Sequence, residues 1–204
     1  MQITLSNIGK RFNREWIFRN LDYTFSVPKK YAITGSNGSG KSTLLQVIAG
    51  AVTHNEGQIE YSVHPDKFTT EQHYRHISLA APYLELIEEM TANELLQFHA
   101  SFKPLSISKK KALQIVGLEK AADKQVRYYS SGMKQRLKLA QAFFSNAPVL
   151  LLDEPTTNLD AEGIALYQEL ISNYTTNKLV IISSNDKQEY EFCEEVISIA
   201  QFKR

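Results

Sequence analysis

Residues 31–43 read Tyr31-Ala32-Ile33-Thr34-Gly35-Ser36-Asn37-Gly38-Ser39-Gly40-Lys41-Ser42-Thr43. A short apolar strand, Tyr31 to Thr34, opens directly into a turn of glycines and small polar residues. Leu44, Leu45, Val47, Ile48 and Ala49 then recur at helical spacing, and Gly50 supplies a C-terminal stop. The pattern Gly35-x-x-x-x-Gly40-Lys41-Ser42 between a strand and a helix is a phosphate-binding loop. Its composition has a physical cause. Small residues let successive backbone N–H groups curl round a phosphate, and the following helix adds the partial positive charge of its N-terminus. Lys41 can reach the β- and γ-phosphates of a nucleotide as a mobile cation, and Ser42 offers a hydroxyl to Mg²⁺. A plain glycine-serine turn would explain the composition but not its placement. Nucleotide contacts are therefore expected from Gly35, Ser36, Asn37, Gly38, Ser39, Gly40, Lys41, Ser42 and Thr43.

A phosphate loop needs a partner that holds the metal and the attacking water. Val149-Leu150-Leu151-Leu152-Asp153-Glu154-Pro155 supplies one, a greasy strand delivering two carboxylates at its C-terminal end. An open α/β sheet places its ligand crevice at that end. Asp153 suits the metal, and Glu154, one residue on, suits the polarisation of a water in line with the γ-phosphate. A strand that merely ends in acidic residues at the surface is the alternative, and the phosphate loop argues against it.

Outward from these two stretches the chain alternates between strand and helix. Ile3, Leu5, Ile8 and Phe12 open it in a strand-like pattern, and Leu21-Asp22-Tyr23-Thr24-Phe25 alternates again. A strand pair is expected around Gln58–Tyr61 and Arg75–Leu79, and further strands over Leu179–Ser183 and Val196–Ile199. Between Pro82 and Ala147 only helical patterns occur, among them Leu95 to Phe102, Ala112 to Val116 and Met133 to Phe144. Ala161 to Tyr174 reads as one more helix. Continuous apolar strands alternating with helices predict an α/β fold, a mostly parallel sheet covered on both faces.

Composition bounds the function classes. The 204 residues suit one compact domain, and 23 basic against 22 acidic side chains give a net charge of +1, which argues against a strongly basic nucleic-acid binder. The single cysteine, Cys193, excludes an internal disulfide framework. The longest aliphatic runs have four residues, against the roughly 20 needed to cross a bilayer, and no signal layout opens the chain. The expected location is cytoplasmic.

The motifs taken together resemble the ATP-binding cassette of ABC transporters. Tyr129-Ser130-Ser131-Gly132-Met133-Lys134-Gln135-Arg136 resembles the family signature, and Thr156-Thr157-Asn158-Leu159-Asp160 its D-loop. The order of phosphate loop, helical insertion, signature, acidic strand and D-loop also matches, over essentially the whole chain. The resemblance implies a P-loop NTPase (RecA-like) core with an N-terminal antiparallel β subdomain, spanning residues 1–82 and 147–204, and a helical subdomain over 83–146. It implies two cassettes packed head to tail around two Mg-ATP, each nucleotide lying between the phosphate loop of one and the signature of the other. Ser130, Ser131 and Gly132 would face the γ-phosphate across that interface, and Asp160 would help to couple the two sites. Phe12 matches the family's aromatic that stacks on adenine.

Two positions depart from the family's pattern. Pro82 falls at or beside the place of a glutamine that senses Mg²⁺ and the attacking water, and Gln72 and Gln97 lie too far along to replace it. Asn185 stands where the family has a histidine contacting the γ-phosphate; its amide donates but cannot become cationic. The first implied reading is a slow ATPase using Lys41, Glu154 and Asn185, with Mg²⁺ on Ser42 and Asp153. The alternative is a clamp or regulatory cassette with very weak hydrolysis, or a non-transport ATPase of the family. A transporter role calls for separate transmembrane permease subunits, on the cytoplasmic face of which the chain would sit. Apolar residues among acids, Tyr83-Leu84-Glu85-Leu86-Ile87-Glu88-Glu89-Met90, offer a place for a partner helix. Neither a heptad run nor a cysteine cluster supports a DNA-repair head, and a soluble nucleotide kinase has no use for Ser130-Ser131-Gly132.

Overall fold

The computed structural model describes residues 1–63, 66–68 and 73–203. Along the chain run β1 (Gln2–Phe12), β2 (Glu15–Ser26), β3 (Lys30–Thr34), α1 (Lys41–Ile48), β4 (Glu56–Val63), β5 (Asp66–Phe68), β6 (Ile77–Ala80), α2 (Ala92–Phe102), α3 (Lys109–Ile115), α4 (Ser131–Phe144), β7 (Val149–Asp153), α5 (Ala161–Tyr174), β8 (Leu179–Ser183) and β9 (Glu195–Ser198). They build two sheets. An antiparallel sheet has the order β2-β1-β4-β5, and a wholly parallel one the order β6-β7-β8-β3-β9.

The parallel sheet explains the unbroken apolar strands. Successive side chains of a strand face opposite ways. Val149 and Leu151 of β7, with Leu179 and Ile181 of β8, join a core formed with α1 and the antiparallel sheet. Leu150 and Leu152, with Val180 and Ile182, join a second core formed with α2, α3, α4 and α5. Both faces are covered, so both register positions select apolar side chains, and the buried Ser78 of β6 is kept by donating its hydroxyl to Val149 O at 3.1 Å. Each fully buried side chain of this size contributes about 1.5–3 kcal/mol. The first charged side chain on β7 is therefore Asp153, at the strand's C-terminal end.

Helix starts follow from local chemistry. Thr91 and Glu94 form a capping box at α2, each side chain bonded to the other's backbone N–H. Ser130 Oγ accepts the Met133 N–H at 3.2 Å, and Asp160 Oδ1 accepts the Gly163 N–H at 2.8 Å, capping α4 and α5. At the β1–β2 turn Asn13 takes a left-handed backbone, φ 54°, and Phe12 pairs with Glu15 across it.

One expectation is corrected. Gln58–Tyr61 and Arg75–Leu79 are not a strand pair. The first segment lies in β4, antiparallel to β1 with Tyr61 opposite Ile3. The second begins in a 3-10 turn, His73–His76, and continues as β6, parallel to β7 with Leu79 opposite Leu151. The partners are set by distant apolar surfaces rather than by chain proximity. Val196–Ile199 is shifted by one residue, forming β9 from Glu195 to Ser198 beside β3.

Candidate nucleotide-binding site

The loop between β3 and α1 closes round a cleft of about 200 Å³ lined by Ile17, residues 37–43 and Glu154. Its glycines are required by geometry. Gly40 has φ 103° at the N-cap of α1, and a Cβ there would stand 2.3 Å from Ile17 Cγ2. Gly38, φ 71°, makes the other left-handed step. Lys41 is 4 % exposed, and its Nζ donates to Gly35 O at 2.9 Å and Ser36 O at 3.2 Å, holding the loop in a ring. The Ser39 hydroxyl is buried without a hydrogen-bond partner among the described residues. A buried polar atom left so in a cradle of backbone donors is a place prepared for a ligand's oxygen.

Asp153 and Glu154 arrive from β7 beside this loop. Asp153 is 2 % exposed, and its Oδ1 has no hydrogen-bond partner among the described residues. Burial pushes its carboxyl pKa upward, while the hydroxyls of Ser42 and Ser183 and the charge of Lys41 hold it down. Glu154 leaves the strand with φ 41°, a left-handed conformation that costs a non-glycine residue on the order of 1–2 kcal/mol. Its N–H donates to Ser183 O at 2.9 Å, which fixes the kink against β8 and leaves the side chain on the phosphate cleft. Asn185 follows β8, and its Nδ2 donates to Asn37 Oδ1 of the phosphate loop at 2.9 Å.

Residues expected to bind nucleotide thus fall into two groups. The phosphate loop, Asp153, Glu154 and Asn185 converge. Ser130, Ser131, Gly132 and Asp160 line a different cleft of about 440 Å³ with Gly117, Leu118, Met133, Arg136 and Asn158, sharing no residue with the first. Ser131 and Gly132 lie inside the first turn of α4 rather than before it. Asp160 is engaged within its own chain, capping α5 and accepting a bond from Arg136 Nη2 at 3.2 Å. Phe12 lines neither cleft. It stands at the end of β1, 48 % exposed, with Lys10 Nζ 4.6 Å from its ring centroid.

Pro82 lies in the turn after β6, where Lys138 Nζ donates to Ala81 O and Pro82 O at 3.3 and 2.9 Å. Gln72 lies outside the described residues, and Gln97 is exposed on α2. The neighbouring Tyr83 is 44 % exposed and lines neither cleft. Desolvation pushes its phenol up to about 12, opposed by the Gln46 side chain and reinforced by the charge of Asp153.

Several contributors escaped the sequence reading. Gln135 of α4 is buried and donates to Pro155 O at 2.8 Å, tying the signature helix to the turn after Glu154. Its spacing with Leu139 and Ala142 puts a polar residue on the helix's apolar face, a signal that could have marked it. Ile17, which lines the phosphate cleft from β2, carries no local signal, because it acts across a gap in the chain.

Comparison with known proteins agrees with this geometry. The family model described as ABC transporter matches residues 18–157. An ABC transporter ATP-binding protein of Bacillus subtilis, YybJ, is 33 % identical over 196 residues, covering 92 % of this chain and 87 % of its own length. The cytochrome c biogenesis ATP-binding export protein CcmA of Xylella fastidiosa is 37 % identical over 147 residues, 69 % of this chain and 63 % of its own. Among solved structures, the dimeric ATP-binding cassette MJ0796 in a post-hydrolysis state with ADP and Pi superposes with a TM-score of 0.81 at 24 % identity, covering 96 % of this chain and 93 % of that one. The matched stretch includes the phosphate loop with Lys41, the strand-end Asp153-Glu154 pair and the capped start of α4, and the chain belongs to the ABC transporter family as one of its ATP-binding ATPases.

Proposed function

We propose that two copies of this cassette, or this cassette and a related one, close head to tail on two Mg-ATP and hydrolyse them slowly to drive a separate membrane permease. The observation that carries the reading is the pairing of incomplete clefts on one chain. One holds the phosphate loop and Glu154, the other the Ser130–Gly132 turn, and neither alone surrounds a triphosphate.

In this reading the backbone of Gly35–Thr43 cradles the β-phosphate and Lys41 leaves its loop carbonyls for the γ-phosphate. Phe12 serves the adenine of ATP. The orphaned Asp153 Oδ1 and the Ser42 hydroxyl fit Mg²⁺, which takes one or two carboxylates and keeps phosphates and waters for its other positions. No cluster of three or more His, Cys, Asp or Glu gathers among the described residues, so such an ion depends on the nucleotide. When bound it neutralises charge on the phosphates. Glu154 holds the attacking water and takes its proton as the water oxygen bonds to the γ-phosphorus. The bond to the β–γ bridging oxygen breaks, giving ADP and phosphate. Pro82 contributes no side-chain hydrogen bond and Asn185 no cation, which supports slow turnover rather than a clamp, since Glu154 keeps its place on the cleft.

The partner reading rests on the surface after β6. Residues 83–146 behave as the helical unit that meets the permease. A groove of about 420 Å³ there is lined by Pro82, Leu84, Glu85, Leu86, Glu88, Lys134 and Lys138, apolar residues among charges of both signs. No helix among the described residues is long and apolar enough to cross a membrane. The permease would be a separate chain, with the cassette on its cytoplasmic face. Relatives named as export proteins support outward transport.

The test is a steady-state ATPase assay on the purified protein. Wild type should turn over with Mg²⁺ and stop with EDTA. Glu154→Gln should lower kcat by about 10²–10⁴. Its affinity for ATP should stay within about threefold, since the loss belongs to the transition state alone. Equal turnover in Glu154→Gln and wild type would reject the assignment.

A further inference from the structure

Glu189 is a carboxylate 3 % exposed that lies outside the residues lining either cleft. It ends a 3-10 turn, Lys187–Glu189, shortly after Asn185. That turn is held stiff from within. Asp186 N–H donates to Ser184 Oγ at 2.9 Å, Gln188 N–H to Asp186 Oδ1 at 3.0 Å, and Glu189 N–H to Asp186 O at 3.1 Å. The Asn185 side chain is thereby mounted on a rigid base.

Glu189 joins that base to the other half of the site. Its Oε1 accepts two hydrogen bonds from one residue, Thr156 N–H at 2.7 Å and Thr156 Oγ1 at 2.5 Å. Its backbone carbonyl accepts the hydroxyl of Tyr167, a wholly buried residue of α5, at 2.7 Å. Thr156 lies just beyond Glu154 and just before Asp160. The β7–β8 ladder ends with Asp153 opposite Ser183 and the Glu154 N–H on Ser183 O. Past that bond the two chains turn apart, and the Glu189–Thr156 pair connects them again. A buried carboxylate is costly to desolvate and is kept only where its bonds are made.

We propose that Glu189 is a positioning residue for ATP hydrolysis, holding the loop that carries Asn185 in register with the loop that carries Glu154 through its double bond to Thr156. The link rests on the roles proposed above for Glu154 and Asn185. Its effect falls on turnover rather than on ATP binding, because neither Glu189 nor Thr156 lines the phosphate cleft.

The experiment compares wild type, Glu154→Gln, Glu189→Ala, Glu189→Gln and Thr156→Val in kcat, KM and ATP affinity. Rates are taken per folded molecule, with folding followed by circular dichroism. Glu189→Ala should lower kcat by about 10- to 100-fold, the cost of a small misplacement of reacting groups. ATP affinity should remain within about threefold of wild type. Glu189→Gln keeps an amide oxygen for both Thr156 donors and should restore most of the rate. Thr156→Val, which loses the hydroxyl but keeps the N–H, should fall between. Wild-type kcat in folded Glu189→Ala, equal losses in the Ala and Gln variants, or a parallel loss of ATP affinity would each overturn the link. If Glu189→Ala does not fold, wild-type kcat in Thr156→Val overturns it instead. Undiminished turnover in Glu154→Gln would strike the underlying assignment and not the link alone.

Discussion

Asn185 shows how much chemistry one side chain carries. Its amide meets Asn37 of the phosphate loop at 2.9 Å, and in the proposed reading it serves the γ-phosphate with a neutral donor in place of a ring that can be charged. A preorganised donor to developing charge is worth roughly 2.7–4 kcal/mol. Asn185 supplies part of it. Asn185→His should therefore raise kcat by about tenfold while leaving ATP affinity nearly unchanged. Unaltered kcat in that variant would place the limit elsewhere, with the Pro82 turn the next position to change. The phosphate loop and Asp153-Glu154 were legible in the sequence because their ligands are contiguous: spacing along the chain is spacing in space. Glu189 was not, since its partner lies 33 residues away and no local pattern joins the two.

At the scale of elements, the last residues of α2, α4 and α5 were readable, while the starts of α2, α3 and α4 lie earlier than the apolar pattern and strand partners were not readable. The Asp160 cap and the apolar periodicity define α5 from Ala161 to Tyr174, as the sequence predicted. The β4 and β6 segments were both recognised as strands and wrongly paired, because apolar strands carry no label of the sheet they join. A further element-level property is invisible in sequence, the seam between α2 and α4. Ser145 Oγ donates to Gln141 O at 2.5 Å, so it accepts from His99 Nε2 at 2.7 Å, which fixes the proton on that ring nitrogen. Burial, and then the charge of Lys103, push His99 down to about 4 from an ordinary 6.5. The sign follows from proton uptake. Between pH 6.5 and 4 the unfolded chain binds a proton that the fold resists, so this contribution is fully present above pH 6.5 and declines as pH falls. The melting temperature should drop between pH 7.5 and pH 5, and His99→Gln should reduce that drop. Identical pH dependence in the variant would remove His99 from the account.

For the whole molecule the governing fact is that the phosphate cleft and the cleft at the start of α4 are separate. The Ser130–Gly132 turn presents backbone donors and the helix dipole of α4 to solvent, and the phosphate cleft leaves Glu154 open on its own side. A net charge of +1 provides no long-range repulsion between copies, while an ATP triphosphate between a phosphate loop and a facing helix N-terminus satisfies donors on both. In the proposed head-to-tail dimer ATP would be part of the interface, and hydrolysis would weaken it. In size-exclusion chromatography Glu154→Gln should run as a monomer without nucleotide and as a dimer with Mg-ATP, whereas wild type should return to monomer as ATP is consumed. Ser131 is exposed at the start of α4, so Ser131→Arg adds bulk to that surface without burying anything in the monomer. Introduced into Glu154→Gln, it should abolish the dimer and retain ATP binding. A dimer that survives Ser131→Arg, or one that forms without nucleotide, would mean that the copies meet through another surface and that the two clefts do not complete each other.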